Sequence, residues 1–255
     1  MNRTVYIILA AVLIVYIGAC VAMYTFQRSL LYYPQPRTVT AAESTMKLPV
    51  DGAEVVVTVR PHDGPKAIVY FGGNAEDVSQ NLAAFGTLFP DRALYLMHYR
   101  GYGGSTGKPT ERANVADGLA LFQNVRALHS DVAIFGRSLG SGVAVQVAAR
   151  VPATRLVLIT PYDSIVELGA DMYPFVPVRW LALDTYESGK FAPGIRTPTT
   201  IIEAENDEEI PHSSTEKLLG RFAPGIATMT LIEGVGHNDI GRNRRYGEAL
   251  QAALK

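Results

Sequence analysis

The sequence has a single cysteine, Cys20, and it lies inside the N-terminal apolar segment. The rest of the chain can therefore form no disulfide and no Cys-ligated zinc site. Clustered charge is missing as well. The 255 residues carry 23 basic and 24 acidic side chains, for a formal net charge of −1, and no run of Lys or Arg occurs. Nucleic-acid binding needs clustered cations to neutralise phosphates, so no nucleic-acid partner is expected. No His-Glu-x-x-His string or similar ligand spacing appears, and neither a metal nor a cofactor is expected. The string Gly101-Tyr102-Gly103-Gly104-Ser105-Thr106-Gly107-Lys108 comes near a phosphate loop and fails. The positions that would need Gly and Ser or Thr hold Tyr102 and Pro109, and Thr106 replaces the third glycine of Gly-x-Gly-x-x-Gly. Internal repeats and low-complexity tracts are also lacking.

What is present begins with a long hydrophobic run. From Val5 to Phe26 about 22 residues carry no charge, enough for a helix to cross the ~30 Å hydrocarbon layer. Tyr24, Tyr32 and Tyr33 fit an interfacial aromatic belt at its C-terminal side. Three readings stand: a retained anchor, an ordinary cleaved signal peptide, and a lipoprotein, because Ile17-Gly18-Ala19-Cys20 resembles a bacterial lipobox. Apolar residues continue through Val21, Ala22 and Met23, which favours the retained helix. Positive charges flank both ends almost equally. A short tail before a signal-anchor usually stays cytoplasmic, which places the following domain on the outer, periplasmic or extracytoplasmic side.

The expected division is a membrane anchor over 1–28, a stalk over 29–42 containing Pro34 and Pro36, and one folded domain over 43–255. With 48% hydrophobic and 18% charged residues, the domain can bury a large core. Apolar runs alternate with helix-length amphipathic segments, the pattern of a mostly parallel sheet with helices on both faces. Strands are expected at Glu54–Val59, Ala67–Phe71, Ala93–His98, Val132–Phe135, Arg155–Thr160, Thr199–Glu203 and Thr228–Ile232. Helices are expected at Asp77–Leu88, Thr110–Leu128, Leu139–Arg150, Ser213–Phe222 and Asn243–Leu254. The irregular stretch 161–198 leaves room for a small cap or none.

The chemistry is carried by Gly136-Arg137-Ser138-Leu139-Gly140, set between an apolar strand and a small-residue helix. That context makes it a nucleophile elbow, whose glycines permit a sharp strand-to-helix turn lifting the Ser138 hydroxyl above the sheet. A serine needs a base. In this fold the chain order is Ser, acid, His, and only His212 and His237 follow Ser138. His237 sits in the glycine-rich loop Gly234-Val235-Gly236-His237 after the last strand, whereas His212 follows Pro211 at a helix start. His62, His98 and His129 read as loop, strand-end and surface residues. For the acid, Glu203, Glu205, Asp207, Glu208 and Glu209 crowd one loop; Asp207 is favoured, Glu205 is second, and Asp239 comes too late in the chain. Oxyanion donors are expected from the main-chain N–H groups of Leu139 and of Asn74 in Gly72-Gly73-Asn74-Ala75.

These strings, with Tyr99-Arg100-Gly101-Tyr102-Gly103-Gly104-Ser105-Thr106-Gly107-Lys108-Pro109 and Asp207-Glu208-Glu209-Ile210-Pro211, resemble the membrane-anchored α/β-hydrolase-domain proteins. That group includes palmitoyl-protein depalmitoylases and serine-aminopeptidase-like relatives. The resemblance implies an α/β-hydrolase fold, a Ser138–Asp207–His237 triad and an oxyanion hole at Asn74 and Leu139. It departs at Gly72, where the group usually has His, and at His98, where an acidic residue is common. The expected activity is hydrolysis of an acyl ester or thioester, on a small molecule, lipid or acyl-protein at a membrane. A peptidase, or a membrane-anchored binding protein without turnover, are the alternatives.

Overall fold

β-Branched and aromatic runs separated by helix-length segments fold here into one sheet with helices on both sides. The computed structural model describes residues 2–255. A long helix, α1 (Arg3–Leu31), leads into the hairpin β1 (Thr45–Val50) and β2 (Ala53–Arg60). There follow β3 (Lys66–Phe71), α2 (Asn81–Leu88), β4 (Ala93–Met97), α3 (Glu111–Leu128), β5 (Asp131–Arg137) and α4 (Leu139–Ala148). After β6 (Arg155–Ile159) come three helices, α5 (Ile165–Met172), α6 (Val178–Leu181) and α7 (Ser188–Phe191). The chain ends with β7 (Thr199–Ala204), α8 (His212–Leu219), β8 (Ala227–Ile232) and α9 (Arg244–Ala252).

The strand order is β1-β2-β4-β3-β5-β6-β7-β8. Pairings β1–β2 and β2–β4 are antiparallel, and the others are parallel. Successive side chains of a strand point to opposite faces, and both faces are covered. In β3, Ala67, Val69 and Phe71 pack with Phe122 of α3 and Val143 of α4, while Ile68 and Tyr70 pack with Phe85 of α2 and Leu250 of α9. This is the expected α/β-hydrolase fold.

Three features differ from the sequence expectation. Strand β1 was not expected, because Lys47 and Pro49 interrupt its pattern; it is an edge strand paired only with β2, where proline is tolerated. Helix α5 lies in the stretch read as irregular. Its N-cap Ser164 accepts a hydrogen bond from Glu167 N (3.4 Å), the signature Ser-x-x-Glu of a helix start. The segment after α1 is docked and does not stand free. Tyr32 is buried, Tyr33 N donates to Asn74 O (3.1 Å), Gly103 N donates to Gln35 O (2.9 Å), and Thr38 N donates to Asp77 Oδ2 (2.8 Å). Pro34 and Pro36 prevent helix continuation, and the freed polar groups find partners on the domain.

Helix α1 contains an 18-residue window of mean hydropathy 2.7, none of it buried, and is long and apolar enough to cross a membrane. A signal sequence meets the same test. Within the domain, the Gly101–Gly107 loop after β4 is tied to α3 by Arg100, which donates to both carboxylate oxygens of Asp117 (2.8 Å each). His98, directly after β4, is buried, with Nε2 2.8 Å from Thr58 Oγ1. Burial lowers its pKa to about 4, with Arg37 adding to the fall and Asp77 opposing it.

A histidine that titrates lower when folded contributes stability that is complete above its unfolded pKa of ~6.5 and is lost as pH falls toward the folded value. Acidification from pH 7 to 4.5 is expected to cost about 2–3 kcal/mol from this group. In His98→Gln that component should vanish, read as a smaller gap between urea stabilities at the two pH values.

Candidate active site

The link from β5 to α4 is made by Ser138 at φ +49° and ψ −122°, a conformation that side-chain-bearing residues rarely hold. Such strain costs about 1–3 kcal/mol and persists only where the surroundings enforce it. Here the enforcement is contact. A Cβ on Gly136 would lie 2.5 Å from Ala144 Cβ, and one on Gly140 would lie 2.1 Å from the carbonyl oxygen of Phe71. The turn is held further by Ser138 N donating to Ile159 O (2.9 Å) and by Tyr162 Oη donating to Leu139 O (3.1 Å).

His237 lies in the loop after β8 and is 2% exposed, so its ring is set by packing. Its Nδ1 is 2.8 and 3.0 Å from the two carboxylate oxygens of Asp207. Asp207 is itself fixed, accepting at Oδ1 from Glu209 N (2.9 Å) and Ile210 N (2.7 Å). The neighbouring acids are engaged elsewhere. Glu205 accepts from Gly234 N (2.8 Å), Glu208 from His237 N (3.0 Å), and Glu209 from the Asn238 amide (2.7 Å). Glu203 pairs with His212 (2.6 Å), and its burial raises its pKa above the ordinary carboxylate value. His237 Nε2 makes no hydrogen bond among the described residues; Glu209 Oε2 is 3.7 Å away. Hydrogen bonds between a catalytic hydroxyl and its base commonly tighten only around substrate, so this geometry is compatible with such a pairing of Ser138 and His237.

The two main-chain N–H groups expected as oxyanion donors, those of Asn74 and Leu139, bond no protein acceptor among the described residues. Both residues line the same cleft as Ser138. The Asn74 loop is held from outside. Its carbonyl accepts from Tyr102 Oη (2.6 Å) and Tyr33 N (3.1 Å), and its amide donates to Leu31 O (3.2 Å). The Gly101–Gly107 loop, through Tyr102, thus braces the Asn74 turn. His98, one of the two departures from the resembled group, lines neither lobe of the cleft.

Two lobes meet at Ser138. One, of about 720 Å³, is walled mainly by apolar residues of α1 and of the 161–198 segment. The other, of about 400 Å³, is polar, lined by Gln35, Glu76, Gln80, Asn81, Arg137 and His237 among others.

No family model matches the chain. The uncharacterized protein Rv2307c of Mycobacterium tuberculosis is 34% identical over 252 residues, covering 91% of this chain and 88% of that protein. The alpha/beta hydrolase domain-containing protein aho-3 of Caenorhabditis elegans is 28% identical over 193 residues, 73% of this chain and 57% of its own length. The esterase Pf2001 of Pyrococcus furiosus shares the fold at TM-score 0.67 and 16% identity, over 88% of this chain and 100% of that one. The chain has the α/β-hydrolase fold and is similar over about three quarters of its length to α/β-hydrolase domain-containing proteins.

In this α/β-hydrolase an ion pair that sequence reasoning missed joins the parts of the site. Glu76 Oε2 accepts from Gly73 N (2.7 Å) and from Arg137 (3.2 Å), and Oε1 accepts from Tyr70 Oη (2.7 Å) and the Asn81 amide (2.5 Å). The same guanidinium donates to His237 O (3.0 Å). Burial opposes the Arg137 charge, yet the adjacent Glu76 carboxylate leaves its pKa above the ordinary arginine value. The one available signal was an arginine inside Gly-x-Ser-x-Gly with an acid two residues after Asn74. Removing one member of this partly buried pair leaves the other short of its partner, at a cost of about 1–3 kcal/mol. Arg137→Met is therefore expected to lower urea stability by that order and to cut kcat on a soluble ester far more than it raises KM. An unchanged kcat would show that the bridge does not position the site.

Proposed function

We propose that this α/β-hydrolase is a serine hydrolase that cleaves an acyl ester or thioester through a covalent acyl-enzyme. The observation that carries the reading is the convergence on one cleft of a strained elbow serine, an Asp207-bound His237 and two unpaired main-chain N–H groups. Ser138 Oγ attacks the acyl carbon while its proton passes to His237 Nε2. The oxyanion is held by the N–H groups of Asn74 and Leu139, the latter at the N-terminus of α4. Collapse breaks the bond to the leaving alcohol or thiol, which takes the proton from His237. Water then repeats the sequence and frees Ser138. Asp207 holds the imidazole tautomer and stabilises its charged form. The unequal lobes support an apolar acyl group on one side of Ser138 and a polar leaving group on the His237 side, where a general acid is needed.

Helix α1 serves in this reading as a retained single-pass anchor with the domain on the extracytoplasmic side. Gln27, Leu30 and Leu31 form part of the apolar lobe's wall, so the end of the helix belongs to the folded domain.

Fluorophosphonate labelling of the wild-type chain and of Ser138→Ala tests the nucleophile. Labelling and esterase turnover should disappear in Ser138→Ala with thermal stability retained. Asp207→Asn should lower kcat by about 10⁴-fold, as wrong-tautomer variants of such triads do, while Glu205→Gln leaves it within about two-fold. Labelling that survives in Ser138→Ala would remove the reading.

A further inference from the structure

Apolar side chains exposed on the folded domain are not scattered. Beyond Tyr33, the large exposed ones are Leu128, Leu231 and five grouped between Met172 and Leu183. Of those five, Phe175 is 85% and Trp180 89% exposed. They sit on the turn after α5 and on α6, elements that cover one side of the apolar lobe. A contiguous exposed apolar patch marks an interaction surface.

The position of the patch identifies what it meets. The end of α1 is latched to the segment following α6 by several bonds. Gln27 donates to Leu181 O (3.1 Å) and accepts from Leu183 N (2.7 Å). Arg28 Nε donates to Asp184 Oδ2 (2.8 Å), and the hydroxyls of Tyr32 and Tyr186 are 3.0 Å apart. At 1.5 Å rise per residue, the uncharged run from Val5 to Phe26 spans about 33 Å, close to the ~30 Å hydrocarbon thickness. The membrane boundary then falls near Phe26 and Gln27, level with Leu181 and its neighbour Trp180. Tryptophan at such a boundary is at its preferred depth. The apolar lobe, meanwhile, is lined by Met23 and Tyr24, one turn inside the span, as well as by Ser138.

We propose that the Phe175–Trp180 face docks into the same lipid surface that holds α1, so that the apolar lobe opens onto the bilayer and receives its acyl chain from the lipid phase. The proposal rests on the reading of α1 as an anchor and narrows the substrate to one whose acyl chain resides in a membrane. The lobe between α1 and α5–α6 gives such a chain an apolar path to Ser138 without crossing water.

The chain has one tryptophan, so Trp180 is its own probe. The full chain is reconstituted into phosphatidylcholine vesicles with and without brominated acyl chains. Trp180 emission should be quenched by bromine and resist aqueous iodide. Iodide access without bromine quenching, in protein that stays with the vesicles through a salt wash, overturns the docking and leaves the anchor reading intact. Release by salt alone overturns both. A second arm compares Phe175→Ser/Trp180→Ser with wild type on a vesicle-embedded long-chain ester and on a soluble short ester. The double variant should lose roughly ten-fold or more on the first, the worth of one buried large apolar side chain, and less than about two-fold on the second. Equal losses on both esters overturn the proposal. The fluorescence arm needs no turnover, so failure of the hydrolytic reading would be seen separately in the Ser138 labelling.

Discussion

The approach of α4 to the end of β3 is the constraint on which the site depends. Gly140 lies so near the Phe71 carbonyl that no side chain fits, and this contact turns the chain sharply enough to leave Ser138 at φ +49°. Every residue of α4 is buried, so the helix cannot withdraw to relieve that strain. The same approach sets the start of α4 beside the turn that follows β3. It thereby brings the N–H groups of Leu139 and Asn74 to one cleft. Sheet, elbow and these two N–H groups are one piece of packing.

What the elbow does not fix is the relation of its serine to loops from distant parts of the chain. The partly buried Glu76–Arg137 pair does that by charge. Arg137 is adjacent to Ser138, Glu76 holds the Gly73 turn, and the guanidinium also binds the main chain of His237. A buried ion pair is weak evidence for stability, because desolvation offsets attraction. Its value here is geometric. It couples the end of β5 to two loops distant in sequence, and Asp207 hydrogen-bonds the ring that the coupling has placed.

The apolar lobe has a different origin. Neither α1 nor the 161–198 segment could form it alone; it lies between them, and the Gln27, Arg28 and Tyr32 bonds hold the two together. The charge of Arg28 is met by the buried Asp184 carboxylate, which also accepts from Glu111 N at the start of α3. The helix end is thereby tied to the core of the domain. A helix that ends as a pocket wall makes the N-terminal apolar segment part of the site's architecture.

By itself the sequence determined the features governed by local sterics, periodicity and chain order. Glycines around Ser138 announce the elbow because only glycine survives that turn. The alternation of strand and helix patterns gives the sheet, and the uncharged run of α1 gives a helix long and apolar enough to cross a membrane. The order Ser138, Asp207, His237 leaves few candidates, which the structure brings together as a hydrogen-bonded His–Asp pair and an adjacent elbow. Strand β1 escaped notice because an edge strand tolerates Lys47 and Pro49, and α5 because its Ser164 cap is brief. Tertiary structure alone decided that Arg137 joins Glu76 and His237, partners 61 and 100 residues away. It alone decided, too, that Gln27 meets Leu181 across 154 residues to close the apolar lobe. An arginine or glutamine carries no local mark of its partner, since ion pairs and hydrogen bonds are chosen by where the packed sheet delivers two distant segments.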